Sequence, residues 1–174
     1  MSRPLAPQGG NDCIQTPDLW ADAIVRHYRP SGRILEPCKG DGAFVRAIPN
    51  CDWCEIKEGK DFLVVNDHWD WIMTNPPWSK FREFLNKGME VGENIVFVSL
   101  INAWFMRARR RDIKKAGFGL VEVLELPVPP KPWPQAGFSL GATWLRRGWT
   151  GQVSITQLAP DQLQRLLAEA PQEF

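Results

Sequence analysis

One turn in the sequence, Asn75-Pro76-Pro77-Trp78, combines residue types that suit chemistry on a planar amine. The two prolines fix the backbone and remove two donors, so nearby carbonyl groups remain available as acceptors. The Asn75 side-chain oxygen and the Pro76 carbonyl can then accept from an exocyclic amine while the Trp78 indole stacks on its ring. Holding those hydrogens localises the nitrogen lone pair, which can attack a methyl-sulfonium in line. The turn therefore predicts amino-methyl transfer that needs no metal; a Pro-rich corner between strand and loop is the alternative.

A glycine-rich turn, residues 36–42 (EPCKGDG), has the composition of a ligand-binding loop between a strand and a helix. Gly40 and Gly42 allow the backbone to turn sharply and to approach a ligand closely. The dinucleotide fingerprint G-x-G-x-x-G would need a third glycine at Val45, and a P-loop would need a Lys-Ser or Lys-Thr pair that this loop lacks. The loop is predicted to hold a nucleoside-like group without cradling a phosphate.

Three acidic residues near this loop indicate which ligand it would hold. Glu36 lies at the predicted tip of a strand, where its carboxylate can receive an ammonium group. Glu55 ends the next predicted strand, the position from which an acid binds ribose hydroxyls, and Asp61 can accept from an exocyclic amine. An amino acid joined to ribose and adenine describes S-adenosylmethionine, the predicted cofactor. A glycine-rich turn with solvated acids is the alternative interpretation.

Positive charge is concentrated in one segment. Six basic residues fall within nine positions: Arg107, Arg109, Arg110, Arg111, Lys114 and Lys115. A nucleic-acid strand could lie along them, with Trp104 or Trp133 stacking on bases. The predicted substrate-binding residues are Trp104, Arg107, Arg109, Arg110, Lys131 and Trp133. A solvated basic helix face is an equally good interpretation. Trp69, Trp71 and Trp144, by contrast, alternate like sheet residues that face a core.

Composition excludes several classes of protein. The chain has 174 residues, 44% of them apolar and 24% charged, which is typical of one globular domain spanning residues 1–174. No apolar run is long enough to span a membrane, and the N-terminus lacks the apolar core of a signal peptide, so we expect a cytoplasmic protein. The net charge of +1 means that any nucleic-acid binding must use a local patch.

The pattern of apolar residues predicts an alternation of strands and helices. After a flexible lead-in (1–12), Thr16 is predicted to cap a helix that begins at Pro17. Strands are predicted at 33–36, 51–56, 69–74, 94–100, 120–126 and 138–146, and helices at 43–48, 81–89, 107–115 and 161–170. This order predicts a three-layer α/β fold of Rossmann-like type, with a mostly parallel sheet. The short connection between the last two strands predicts an antiparallel pair at one edge.

The two turns together resemble a known family, the S-adenosylmethionine-dependent amino-methyltransferases of the N6-adenine type. LEPCKGDGAF (35–44) is similar to the family's cofactor loop, and NPPW (75–78) is similar to its catalytic (N/D)PP(Y/F/W). QTPDLWADAIV (15–25) resembles the N-terminal cofactor segment of the gamma-type DNA enzymes, and the Pro-rich segment 129–145 resembles small phage DNA adenine methyltransferases.

The resemblance implies a set of site residues and a substrate. Catalysis would fall to Asn75, Pro76, Pro77 and Trp78. The cofactor would be bound by Thr16, Pro17, Glu36, Pro37, Cys38, Gly40, Gly42, Glu55, Asp61, Phe62 and Asn75. The implied partner is DNA, methylated at N6 of adenine. The family's usual target-recognition domain has no counterpart after residue 78, which predicts relaxed sequence specificity. An RNA base methyltransferase, a protein glutamine N5-methyltransferase and an inactive nucleic-acid-binding subunit of the same fold are the alternatives.

The cysteines are predicted to be reduced and structural. They are Cys13, Cys38, Cys51 and Cys54. Cys51 and Cys54 form a single CxxC, whereas a structural zinc site usually has a second pair at similar spacing.

We therefore expect a variant in which both Cys51 and Cys54 are replaced by serine to carry as much zinc as the parent. Elemental analysis of the two purified proteins is the measurement. Stoichiometric zinc in the parent that disappears in the variant would contradict the prediction.

Overall fold

A computed structural model describes residues 14–128, 131, 133, 139–159, 161 and 165. The predicted lead-in (1–12) and most of the predicted helix 161–170 lie outside these residues. Asp161 and Arg165 are described as helical, and their charged groups are 3.5 Å apart. Within the described part of the chain, no helix is long and apolar enough to cross a membrane.

Seven strands of the described chain form one sheet. In chain order they are β1 (Ile34–Glu36), β2 (Asp52–Trp53), β3 (Trp69–Thr74), β4 (Gly92–Leu100), β5 (Phe118–Glu125), β6 (Leu140–Arg147) and β7 (Ser154–Gln157). Their order across the sheet is β2-β1-β3-β4-β6-β5-β7, and only β6 runs antiparallel to its neighbours. The predicted mostly parallel sheet with an antiparallel pair is confirmed, but the pair does not form the edge of the sheet, because β7 lies outside it, parallel to β5.

Four α-helices of residues 14–128 cover the two faces of the sheet. They are α1 (Asp18–Tyr28), α2 (Ala43–Ala47), α3 (Phe81–Val91) and α4 (Arg107–Lys115). The core under α1 and α2 includes Ile24, Phe44, Met73, Val96 and Val98. The core under α3 and α4 includes Leu85, Ile113, Ile72, Ile95 and Phe97. The predicted three-layer α/β arrangement is thus confirmed.

Strand β4 shows why the sheet has helices on both faces. Four consecutive side chains, Ile95 to Val98, are fully buried, and alternate ones belong to the two different cores. A run of this kind is typical of a central strand that is covered on both sides.

The tryptophans predicted to face the core do so. Trp69 and Trp71 are buried in the sheet, and the Trp71 ring stacks on Trp144 with ring centroids 5.4 Å apart.

Two local predictions need correction. Helix α1 begins at Asp18, with Pro17 at the cap position and no side-chain cap, so Thr16 does not cap it. The Pro17 carbonyl instead accepts from the backbone N–H groups of Trp20 and Ala21, at 2.9 and 3.1 Å. Strand β2 is only two residues long, because the chain turns back after it and forms a bridge between Glu55 and Lys60.

Candidate active site

A cavity of about 250 Å³ opens at the carboxyl ends of β1 and β3, the edge where ligands bind in sheets of this kind. Most of the predicted cofactor residues line it: Thr16, Glu36, Pro37, Cys38, Gly40, Glu55, Asp61, Phe62 and Asn75. Of that set, Pro17 and Gly42 lie outside the lining. Pro17 borders a neighbouring depression that Lys131 and Trp133 also line.

The glycine-rich turn has the conformation that its glycines predict. Gly40 and Gly42 have φ angles of +55° and +93°, in the left-handed region that other residues avoid. A Cβ at Gly40 would clash with the Gln15 side chain, whose Oε1 accepts from the Asp41 N–H at 3.1 Å. Gln15 therefore supports the turn, a role that sequence reasoning missed although it is adjacent to Thr16.

Glu55 connects this turn to the loop that follows β2. Its Oε2 accepts from the Gly40 N–H at 3.0 Å, and its Oε1 accepts from the Lys57 N–H at 3.1 Å. The side chain is 9% exposed, and each oxygen keeps one further lone-pair direction for a ligand. Asp61 similarly uses Oδ1 to accept from the Leu63 N–H, at 2.9 Å. The two acids thus shape the cavity wall and still have acceptor capacity.

Glu36 is the most deeply buried acid of the site. It is 2% exposed, and its Oε1 accepts from the Cys38 N–H at 2.9 Å. Burial raises the pKa of Glu36 to about 8, and the nearby charge of Glu55 acts in the same direction. At neutral pH the side chain is mainly a neutral acid, and a cation placed beside it would favour its ionised form.

Asn75 carries an acceptor without a partner. Its Nδ2 donates to the Ile14 carbonyl at 3.2 Å, which fixes the orientation of the amide. Its Oδ1 is buried and has no hydrogen-bond partner among the described residues. Buried polar atoms are nearly always satisfied, so this acceptor at the cavity is available to a hydrogen-bond donor from a ligand.

The rest of the catalytic turn surrounds this acceptor. Pro77 lines the cavity beside Asn75, whereas Pro76 is buried and lies outside the lining. Trp78 is half-buried and outside the lining; its ring meets Trp133 edge-on, with centroids 6.0 Å apart.

The described architecture matches solved structures. The lmo1582 protein from Listeria monocytogenes, assigned to the class I S-adenosylmethionine-dependent methyltransferases, is 13% identical with a TM-score of 0.63, over 93% of this chain and 72% of that one. The M protein of the type I restriction enzyme EcoKI is 13% identical with a TM-score of 0.59, over 80% of this chain and 45% of that one. PH1948 from Pyrococcus horikoshii, assigned to the RNA methyltransferases, is 14% identical with a TM-score of 0.56. The match covers 76% of this chain and 82% of that one.

The chain has the Rossmann-like methyltransferase fold. Identities this low establish a shared fold and no more. No protein-family model and no curated protein matches the sequence.

Two predicted base-stacking residues prove to be core residues of this methyltransferase fold. Trp104 is fully buried against Phe81, and its Nε1 donates to Ser99 Oγ at 2.8 Å. Trp133 is 3% exposed, and its Nε1 donates to the Gln15 carbonyl at 3.2 Å. The prediction that these rings stack on bases is wrong, because neither presents a free face.

The basic segment forms α4 as predicted, but its residues differ in accessibility. Arg107 and Arg110 are exposed, as is Lys131 in the Pro-rich segment. The Arg109 guanidinium instead lies 4.3 Å from the Phe81 ring centroid, with Nη1 buried and without a partner among the described residues. Burial lowers the pKa of Arg109, and the charge of Arg82 lowers it further. Arg109 is therefore half-buried against the core and is not part of a solvated basic face.

Helix α4 runs from the cavity end of the sheet toward the opposite end, so its basic residues lie in two different places. The helix follows β4 through a 3-10 turn (Ile101–Phe105), so Arg107 lies near the edge that holds the cavity. Its last residues lead into the start of β5, which places Lys114 and Lys115 at the opposite edge of the sheet.

The two cysteines of the CxxC lie on either side of β2. Burial raises the pKa of both thiols, Cys51 and Cys54, to about 11, so they remain protonated at neutral pH. Cys38 lines the cavity, and Cys13 lies outside the described residues.

Replacing Glu36 with glutamine should stabilise the protein more as the pH rises. The folded-state pKa of about 8 lies above the ordinary value of 4.5, so between these values the native state binds more protons than the unfolded state. Stability of the parent therefore falls as the pH rises through this window, whereas glutamine does not titrate. The difference in Tm should be small near pH 5 and reach at least about 2–4 °C near pH 8.5, corresponding to about 1 kcal/mol.

Thermal unfolding of both proteins across this pH range is the measurement. Glu83→Gln, on the exposed side of α3, is the matched control and should show no such trend. A Tm difference for Glu36→Gln that stays constant with pH would mean that Glu36 is ionised in the folded protein.

Proposed function

We propose that the protein transfers a methyl group from S-adenosylmethionine to the exocyclic N6 of adenine in DNA. The observation that carries the proposal is Asn75 Oδ1, a buried acceptor without a partner among the described residues, in the wall of the cavity that most of the predicted cofactor residues line. The structural likeness to the EcoKI M protein supports it, as does the similarity of NPPW to the catalytic motif of amino-methyltransferases.

The cavity residues suit the cofactor's charges. Glu36 would receive its ammonium group, because the buried carboxylate would gain a counter-charge that the free protein lacks. Glu55 and Asp61 keep acceptor capacity for ribose hydroxyls and for an exocyclic amine. Phe62 supplies an apolar surface beside them. When bound, S-adenosylmethionine supplies a methyl group on a positively charged sulfur.

The catalytic turn would activate the adenine amine by accepting its hydrogens. Asn75 Oδ1 takes one hydrogen bond and the Pro76 carbonyl takes the other, which draws the nitrogen lone pair out of the ring's π system. S-adenosylmethionine held by the cavity would supply the methyl group to this nitrogen, and the electrons of the broken carbon–sulfur bond would stay on sulfur. The amine gives up one proton, which passes from the Asn75 side of the site to solvent. Trp78 would present its half-buried ring to the base.

The substrate test compares macromolecules directly. The protein is incubated with isotopically labelled S-adenosylmethionine and DNA, RNA or a protein extract, and the products are digested and analysed by mass spectrometry. Labelled N6-methyladenosine from RNA would identify RNA as the substrate in place of DNA. Labelled N5-methylglutamine from the extract would identify protein as the substrate.

Asn75→Ala should reduce turnover by about two orders of magnitude, the usual cost of losing one polar group aimed at the transition state. Affinity for S-adenosylhomocysteine should change little by calorimetry, because Glu36 and Glu55 carry that binding. Asn75→Asp keeps an acceptor at the same place and should retain more activity than the alanine variant. Full turnover by Asn75→Ala would reject the amino-methyl mechanism.

We also expect relaxed sequence specificity. Reading a base pair requires side chains held in a groove, each bidentate pair contributing about 1–3 kcal/mol of discrimination. Exposed Arg107, Arg110 and Lys131 would contact phosphates, which position a strand without reading it. Sequencing of methylated adenines on a mixed genome is the measurement. Modification confined to a single site of four or more bases would contradict the expectation.

A further inference from the structure

The mouth of the cavity carries a set of lysines that the proposed function has not used. Four of them line it: Lys39, Lys57, Lys60 and Lys80. Lys39 forms an ion pair with Glu58, and the ammonium groups of Lys39 and Lys60 lie 4.0 and 3.3 Å from the Trp53 ring centroid. Lys57 and Lys80 line the cavity and make no ion pair within the described part of the chain, so their charges remain available to a ligand.

Burial distinguishes most of the charged groups that line this cavity. Glu36 and Glu55 are 2% and 9% exposed and lie in its interior, whereas Lys57, Lys60 and Lys80 are exposed at its rim, where one acid of the lining, Asp41, is also exposed. An acidic interior suits a cationic ligand. A cationic rim suits a polyanion that passes over the mouth, because like charges held together at a surface repel until a counter-ion arrives. The arrangement thus fits a cationic cofactor inside and a polyanionic substrate outside.

The two unpaired lysines stand on different sides of the opening. Lys57 belongs to the 3-10 turn (Ile56–Glu58) after β2, and Lys80 belongs to the 3-10 turn (Trp78–Lys80) after β3. Strands β2 and β3 flank β1, so their ends are about 10 Å apart across the sheet. Asn75 lies on the Lys80 side, which places the acceptor for the target amine next to one end of this span.

We infer that the phosphate backbone of a single nucleic-acid strand crosses the mouth of the cavity and contacts Lys57 on one side of the target nucleotide and Lys80 on the other. The inference rests on the proposed function and names the surface that receives its substrate. The extruded base then enters between the two contacts. Basic α4 is not required for this positioning, although Arg107 and Arg110 at its start can extend the path.

The test measures how binding depends on salt. A fluorescent single-stranded DNA oligonucleotide with one adenine is titrated with the parent and with Lys57→Ala/Lys80→Ala, followed by anisotropy at several salt concentrations. Two lost phosphate contacts should weaken binding and reduce the slope of log K against log salt by about 1.4, at about 0.7 per contact for single strands. Lys57→Arg/Lys80→Arg keeps both charges and should restore the parent slope. Calorimetry with S-adenosylhomocysteine should give the same affinity in all three proteins.

Lys114→Ala/Lys115→Ala is the matched control, with an equal charge change at the opposite edge of the sheet. It should keep the parent's slope. The inference is overturned if Lys57→Ala/Lys80→Ala keeps the parent's salt slope. It is also overturned if the slope of Lys114→Ala/Lys115→Ala falls by as much as that of Lys57→Ala/Lys80→Ala. These outcomes are distinct from failure of the proposed function, which would be seen as absence of methylated adenine in DNA treated with the parent.

Discussion

The shape of the site depends on one carboxylate that holds two loops together. Glu55 accepts from Gly40 in the glycine-rich turn and from Lys57 in the turn after β2, so its two oxygens fix loops that come from neighbouring strands. With both loops held, Gly40 can keep its left-handed conformation and leave room for the Gln15 side chain. An alanine at position 55 would free both backbone donors at once, which is why a single side chain has so large an influence on the cavity wall.

Two polar groups that line the same cavity are, by contrast, held in unfavourable surroundings. Asn75 Oδ1 has no partner among the described residues, and a buried acceptor in that state costs about 1–3 kcal/mol. Glu36 keeps a carboxyl group in an environment that disfavours its charge. Both line the same cavity, and each is the first residue of one of the two predicted motifs. Local cost of this kind is expected where a protein is shaped for a ligand and not only for stability.

The sequence predicted the framework better than its loops. Strand β3 and helix α4 begin and end where their apolar and basic patterns indicated, because such patterns report directly on which face is buried. The same logic failed for Trp104 and Trp133, which follow no period and are buried by long-range contacts. Strand β7 was missed because Ile155 faces solvent, 68% exposed, so no buried alternation marks it. The sequence predicts Arg109 to be a substrate-binding residue, because nothing in the sequence indicates that its guanidinium stacks on Phe81, 28 positions earlier in the chain.

Under the proposed function, the protonated state of Glu36 would make cofactor binding an exchange of one positive charge for another. In the free protein the buried carboxyl group retains its proton through neutral pH, because burial raises its pKa to about 8. An ammonium group that arrives beside it takes over the role of that proton, which leaves for solvent. Association would then release close to one proton at pH 7 and become tighter as the medium becomes more alkaline, up to the pKa itself. The observed heat of association would accordingly vary with the ionisation enthalpy of the buffer, a thermodynamic signature that comes from a single side chain at the tip of β1.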